Sequence, residues 1–171
     1  MRSKEIIEYI KSDLYRYTAS VSFRNFILQY FLNRGFNFMV WFRCCKHPYK
    51  IIHKLSFLML NWKRIRYKID ISDKTSIGYG FYIGHAGPIV INSTTIIGNN
   101  VNVSQFTSIG ANETSGAIIA DEVYIGPNVC IIENVKIGKA STIGAGSVVT
   151  KDIPENATAA GNYAKVLNYN N

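Results

Sequence analysis

The sequence predicts a mainly β chain, a parallel β-helix preceded by a short α-helical region. Three observations carry this. Aliphatic residues recur every six positions between residues 71 and 149. Apolar residues before that recur at three- and four-residue steps. Charge divides at the same place: residues 1–69 hold 14 Lys/Arg against 3 Asp/Glu, a net +11, and residues 70–171 hold 5 against 8, a net −3. The expected division is a helical region over 1–64 and a β-helix with a closing segment over 65–171.

The helical region follows from period. Ile6, Ile7, Ile10, Leu14 and Tyr17 lie on one helical stripe, and Phe23, Phe26, Ile27, Tyr30 and Phe31 lie on another. A third apolar segment runs from about Tyr49 to Trp62. Gly35 and Pro48 read as interruptions, so three short helices are expected.

The second region is a repeat. Ile71, Ile77, Ile83 and Ile89 are followed by Ile97, Val103 and Ile109, then by Ile119, Ile125, Ile131, Ile137, Ile143 and Val149. The step of six is broken by two extra residues after Ile89 and four after Ile109. A step of six fits neither a helix nor a long alternating strand. It fits short strands with a turn after each, three to a triangular coil, with coils stacked about 4.8 Å apart. The repeated aliphatic points inward, and glycine at several following positions tolerates the tight corners.

Composition bounds the function. With 47% apolar residues the chain has the means to bury a core. Cys44, Cys45 and Cys130 lack metal-ligand spacing, and adjacent cysteines suit a disulfide poorly, which points to a reducing, cytoplasmic setting. The charged start "MRSKEIIEYIKSD" does not read as a secretory signal, and no apolar run reaches the roughly 18 residues of a membrane span. The basic helices argue weakly for nucleic acid, because aromatics in an apolar stripe are more often packing faces; no nucleic-acid partner is expected. A metal-dependent hydratase would need several histidines, and residues 70–171 hold one, so no metal is expected.

That histidine, His85 in "YIGHAGPIVI", takes an outward position in the repeat frame. The simplest alternative is an ordinary surface histidine. A neutral imidazole, with an unperturbed pKa of about 6.5, is suited to take a proton near neutral pH. The same face one coil apart stacks His85, Gln105, Pro127 and Ala145.

The "[Ile/Val]-Gly-x-x-[small]-x" pattern resembles the hexapeptide-repeat acyltransferases, which implies a left-handed parallel β-helix. The segment "GFYIGHAGPIVINSTTIIGNNVNVSQFTSIG" (80–110) is similar to the part of serine acetyltransferases that carries their catalytic histidine, and "IGAGSVVTKDIPENATAAGNYAKVL" (143–167) is similar to the family's end piece. The resemblance implies acetyl transfer from acetyl-CoA to an alcohol, with His85 as general base. It implies that Asp70, 15 residues upstream, orients the ring. It also implies that CoA lies along the outward column. Gln105, Ala145, Ala160, Gly161, Lys151 and Lys165 are the candidate contacts.

Three departures from serine acetyltransferases bear on the acceptor. Their aspartate before the histidine is Gly84 here, the Arg-His pair of their long loop is missing from "GANETSGA" (110–117), and their Gly-Glu is Asn92-Ser93. What remains resembles short enzymes of bacterial surface-polysaccharide pathways. The expectation is therefore a sugar or polysaccharide hydroxyl, held by neutral groups such as Asn92, Ser93, Asn112 and Thr114, with little activity on serine. Serine O-acetylation and a non-catalytic scaffold are the rival readings. The resemblance further implies a homotrimer, paired into a dimer of trimers if the helices associate. The basic helices are expected to touch the inner membrane face, where a lipid-linked glycan would be met.

Overall fold

The structure is a computed structural model and describes residues 2–169; Met1, Asn170 and Asn171, at the outer limits of the expected division, lie outside the described residues. Among the described residues four helices, α1 (Ser3–Thr18), α2 (Phe23–Leu32), α3 (Arg34–Cys44) and α4 (Lys50–Tyr67), precede fifteen short strands. Three helices are expected from the sequence, one fewer than the structure shows. The extra break falls at Asn33, whose extended backbone (φ −111°, ψ 109°) ends α2, while its side-chain oxygen accepts from Phe36 N–H at 3.1 Å and starts α3. That is an N-cap. Gly35 does not interrupt a helix; it lies in the first turn of α3. Pro48 does lie in the link between α3 and α4.

Strands β1 (Ile69–Ile71), β4 (Ile89–Ile91), β7 (Ser108–Ile109), β10 (Cys130–Ile131) and β13 (Val148–Val149) form one parallel face. Strands β2 (Ser76–Ile77), β5 (Ile96–Ile97), β8 (Ile118–Ile119) and β11 (Lys136–Ile137) form the second. The third holds β3 (Tyr82–Ile83), β6 (Asn102–Val103), β9 (Tyr124–Ile125), β12 (Thr142–Ile143) and β14 (Ala157–Ala160), with β15 (Lys165–Tyr169) added antiparallel to β14. This is the expected β-helix, about five coils long. Its axis is filled by buried aliphatics such as Ile71, Ile83, Ile109, Ile125, Ile143 and Val149.

The register corrects the repeat frame at one place. Ile71 lies opposite Ile91, not Ile89, and Ile91 lies opposite Ile109. The two extra residues therefore fall between Ile83 and Ile91, in the corner that carries His85. The frame misleads because β1 and β4 each turn two residues inward, Ile69 with Ile71 and Ile89 with Ile91, all four buried. Ile89 thus mimics the next step of six.

Most corners share one device. The third residue after the inward aliphatic turns left-handed, with φ between 55° and 70°, at Gly80, Asn100, Phe106, Glu122, Asn128, Asn134, Ala140, Gly146 and Asn156. Asn and Gly bear this conformation most cheaply. The corner from Gly84 to Pro88 contains no such residue.

The helices close the first coil, whose strands have no coil beneath them. Arg43, in α3, donates to Ile77 O at 2.7 Å and Gly78 O at 2.6 Å. It also pairs with the buried Asp13 at 2.9 and 3.1 Å. Asp13 accepts from Phe81 N–H, Ser12 Oγ from Gly80 N–H, and Arg16 donates to Gly80 O, each at 2.9 Å. The Tyr17 hydroxyl both accepts from Ile83 N–H and donates to Ile83 O at 3.1 Å. Side chains thus satisfy backbone groups that an open edge would leave unpaired. The core is continuous across this junction: Phe38, Met39 and Phe42 of α3 and Leu60 of α4 belong to one buried cluster with the coil aliphatics.

Candidate functional site

His85 stands on the corner Gly84–Pro88, between the third and first faces. Ile83 lies opposite Val103, then Ile125, Ile143 and Ala159 follow in register. The second residues after these form one column along the edge: His85, Gln105, Pro127, Ala145 and Gly161. The exposed His85 side chain makes no hydrogen bond or ion pair among the described residues. It opens into a cleft of about 230 Å³ lined by Leu32, Asn33, Arg34, Gly84, His85 and Ala86.

The cleft wall opposite the corner is the junction of α2 and α3. Gly35 sets its distance. A Cβ there would come within 2.8 Å of both Ile83 Cβ and Ile83 O, so only glycine lets α3 approach the end of β3 so closely. One residue before Gly35 comes Arg34, and one residue after Ile83 begins the histidine corner.

Asp70 lies on β1, opposite Val90, with its side chain 59% exposed. Its carboxylate is taken by Arg64, whose Nε donates to Oδ1 at 3.1 Å and whose terminal nitrogen also donates to that oxygen. No hydrogen bond joins it to His85 among the described residues. The reason is local: α4 ends through a left-handed turn at Lys68 (φ 59°), which folds the chain so that Arg64 reaches the strand six residues on. Asp70 borders a separate cleft with Asn61, Arg64, Ile65 and Lys68.

The structure does not bring the expected acceptor residues to His85 within one chain. Asn92 and Ser93 follow β4, and Asn112 and Thr114 follow β7. Both segments lie at the corner between the first and second faces, another edge of the prism. There Asn92 is occupied locally, accepting from Thr94 N–H at 2.9 Å and donating to Ala111 O at 3.2 Å. The backbone N–H groups of Asn112, Glu113 and Thr114 converge on one Glu133 oxygen at 2.8, 3.0 and 3.0 Å. Those bonds hold the Glu133 carboxyl below the usual range. Ser93 is exposed.

The candidate CoA contacts divide in the same way. Gln105, Ala145 and Gly161 share the His85 column, Ala160 ends β14 beside it, and Lys165 lies opposite Ala160 at the start of β15. Lys151 follows β13 and lies at the other edge. One observation suits a ligand along the column: the side-chain oxygen of Gln105 is buried with no hydrogen-bond partner among the described residues. An extended chain bearing amide N–H groups, such as the pantetheine arm of CoA, would satisfy it once the side chain turned toward the column. Among the described residues no group of three or more His, Cys, Asp or Glu could hold a metal ion.

Sequence reasoning missed Leu32, Asn33 and Arg34. Their approach to His85 is tertiary, and the one available signal was a glycine inside an apolar helical run, which marks close backbone approach as well as a break.

Residues 116–151 match the family described as bacterial transferase hexapeptide (six repeats). The chain is 33% identical over 179 aligned positions to mitochondrial serine acetyltransferase 3 of Arabidopsis thaliana, covering 95% of this chain and 43% of that protein. It is 33% identical over 117 positions to serine acetyltransferase of Escherichia coli K12, covering 66% and 43%. Among solved structures it is similar to serine acetyltransferase of Neisseria gonorrhoeae in complex with serine, with 28% identity, a TM-score of 0.79, and coverage of 95% and 69%. A serine acetyltransferase in complex with CoA gives 27% identity and a TM-score of 0.78, covering 96% and 71%. The chain thus spans less than half the length of these curated relatives. The sugar or polysaccharide acceptor is overturned by these likenesses: the relatives are serine acetyltransferases.

Proposed function

We propose that this chain, whose residues 116–151 match the bacterial transferase hexapeptide family, transfers the acetyl group of acetyl-CoA to the side-chain hydroxyl of serine. The observation that carries the reading is the unpartnered His85 imidazole, which heads the column containing the orphaned Gln105 oxygen and opens into a small cleft. Neutral His85 takes the hydroxyl proton as the serine oxygen attacks the thioester carbonyl. The imidazolium then returns that proton to the departing CoA sulfur. Gln105, Ala145, Ala160, Gly161 and Lys165 flank the donor. Asp70 is assigned the orienting role by resemblance; it requires that Arg64 release the carboxylate when the site is assembled.

A homotrimer fits the division of the candidate residues between two edges, since a neighbouring copy can carry Asn92, Ser93, Asn112, Thr114 and Lys151 toward the His85 column. The helices offer a surface for pairing trimers. The same region supports peripheral contact with an anionic, cytoplasm-facing membrane, because exposed Ile51, Leu55, Leu58, Trp62 and Ile65 lie on α4 among Lys50, Lys54, Arg66 and Lys68. No helix of the described residues is long and apolar enough to cross a membrane. The test of the activity is CoA release from acetyl-CoA with L-serine as acceptor. Serine-dependent release supports the reading, and CoA binding without serine turnover would sink it.

A further inference from the structure

We propose that Arg34 is the group that recognises the carboxylate of the acceptor. The assignment rests on an amino-acid acceptor and names a residue for it on an element that no sequence motif singled out.

The loop over residues 110–117 contains no arginine or histidine, and Gly84 supplies no charge beside His85. Something else must meet the charged end of serine, because an ionic group entering a cleft unpaired is disfavoured. Arg34 and His85 are the two basic side chains among the six residues lining the cleft, and no carboxylate is among those six. The Arg34 guanidinium makes no hydrogen bond or ion pair with any described residue. Arg16, Arg43 and Arg64 are engaged, and of the arginines without a partner among the described residues Arg34 is the one that lines the His85 cleft. A guanidinium and an imidazole lining one small cleft suit a two-point acceptor: carboxylate on the fork, hydroxyl on the imidazole.

The position of Arg34 is enforced. The contact of Gly35 with Ile83 fixes the first turn of α3 against the end of β3, and the Asn33 cap fixes where that turn begins. Arg34 sits between the two. The cleft is small, about 230 Å³, and opens to solvent.

The test uses the full chain with L-serine and with serinamide, which keeps the hydroxyl and ammonium but loses the carboxylate. The parent should prefer serine. Arg34→Gln should raise the serine KM by roughly 10–100-fold, the scale of a lost charge-assisted hydrogen bond, and the preference over serinamide should collapse. Arg34→Lys should recover part of it, because a point charge replaces the fork. Thermal unfolding of both variants should match the parent, since the side chain is exposed. A parent that turns over serine together with an Arg34→Gln variant whose serine KM stays within two-fold would overturn this assignment alone. A parent without serine turnover would overturn the activity and this assignment with it.

Discussion

At the scale of the residue, the repeat makes His85 legible and leaves Arg34 hidden. A six-residue frame states which side chains face out, so an exposed imidazole on a corner follows from spacing alone. Arg34 belongs to a helix whose approach to the coils is set by Gly35, and no period reports that contact. His85→Ala should fold and bind CoA as the parent does, because the side chain lies outside the core. Its turnover should fall about 10²–10⁴-fold, the usual share of a positioned base. Steady-state kinetics beside CoA titration checks this, and a variant within a few-fold of the parent would make His85 a surface residue only. Gly35→Ala is the complementary change. Its Cβ meets backbone at 2.8 Å, so α3 must shift, at a cost of about 1–3 kcal/mol. Denaturant unfolding should show that loss, and the serine KM should rise because Arg34 moves too.

At the scale of the element, the division into helices and coils was legible, while its fine boundaries were not. Asn33 ends one helix and begins another without a glycine or proline, and Ile89 mimics a repeat position because two residues of its strand point inward. The buried Asp13–Arg43 pair was not predicted, since it joins residues thirty apart. Burial pushes the Asp13 carboxyl up, and the Arg43 guanidinium with Phe81 N–H pulls it back. Arg43→Met should cost about 3–5 kcal/mol, the penalty of leaving one member of a buried pair alone, read as a lower thermal midpoint. The loop over 110–117 has a pH signature. Its amides favour the Glu133 carboxylate, so the stabilisation is present above the ordinary glutamate value of about 4.3 and is lost as pH falls through the depressed folded value. Amide proton shifts of Asn112, Glu113 and Thr114 should titrate together in that acid range in the parent and stay flat in Glu133→Gln.

At the scale of the whole molecule, the uneven charge and the two-edged site make separate statements about assembly. Sedimentation at micromolar concentration should give a trimer, and a monomer would leave the Asn92 and Asn112 edge without a route to His85. Flotation with anionic liposomes should succeed at low salt and fail in about 0.5 M salt, where screening shortens the Debye length to a few ångströms; no binding at low salt would remove the membrane contact. The helical cap on the first coil has a consequence of its own. A stack of coils has no intrinsic length, and its bare end is a template on which another stack can grow. Ser12, Asp13, Arg16, Tyr17 and Arg43 occupy that template from one side, and β15 lies antiparallel across the third face at the other end. The helices therefore act as a stop on polymerisation. A fragment beginning at residue 65 would present the strand edges of Ile77–Ile83 unpaired, and it should form end-to-end fibres where the full chain stays discrete.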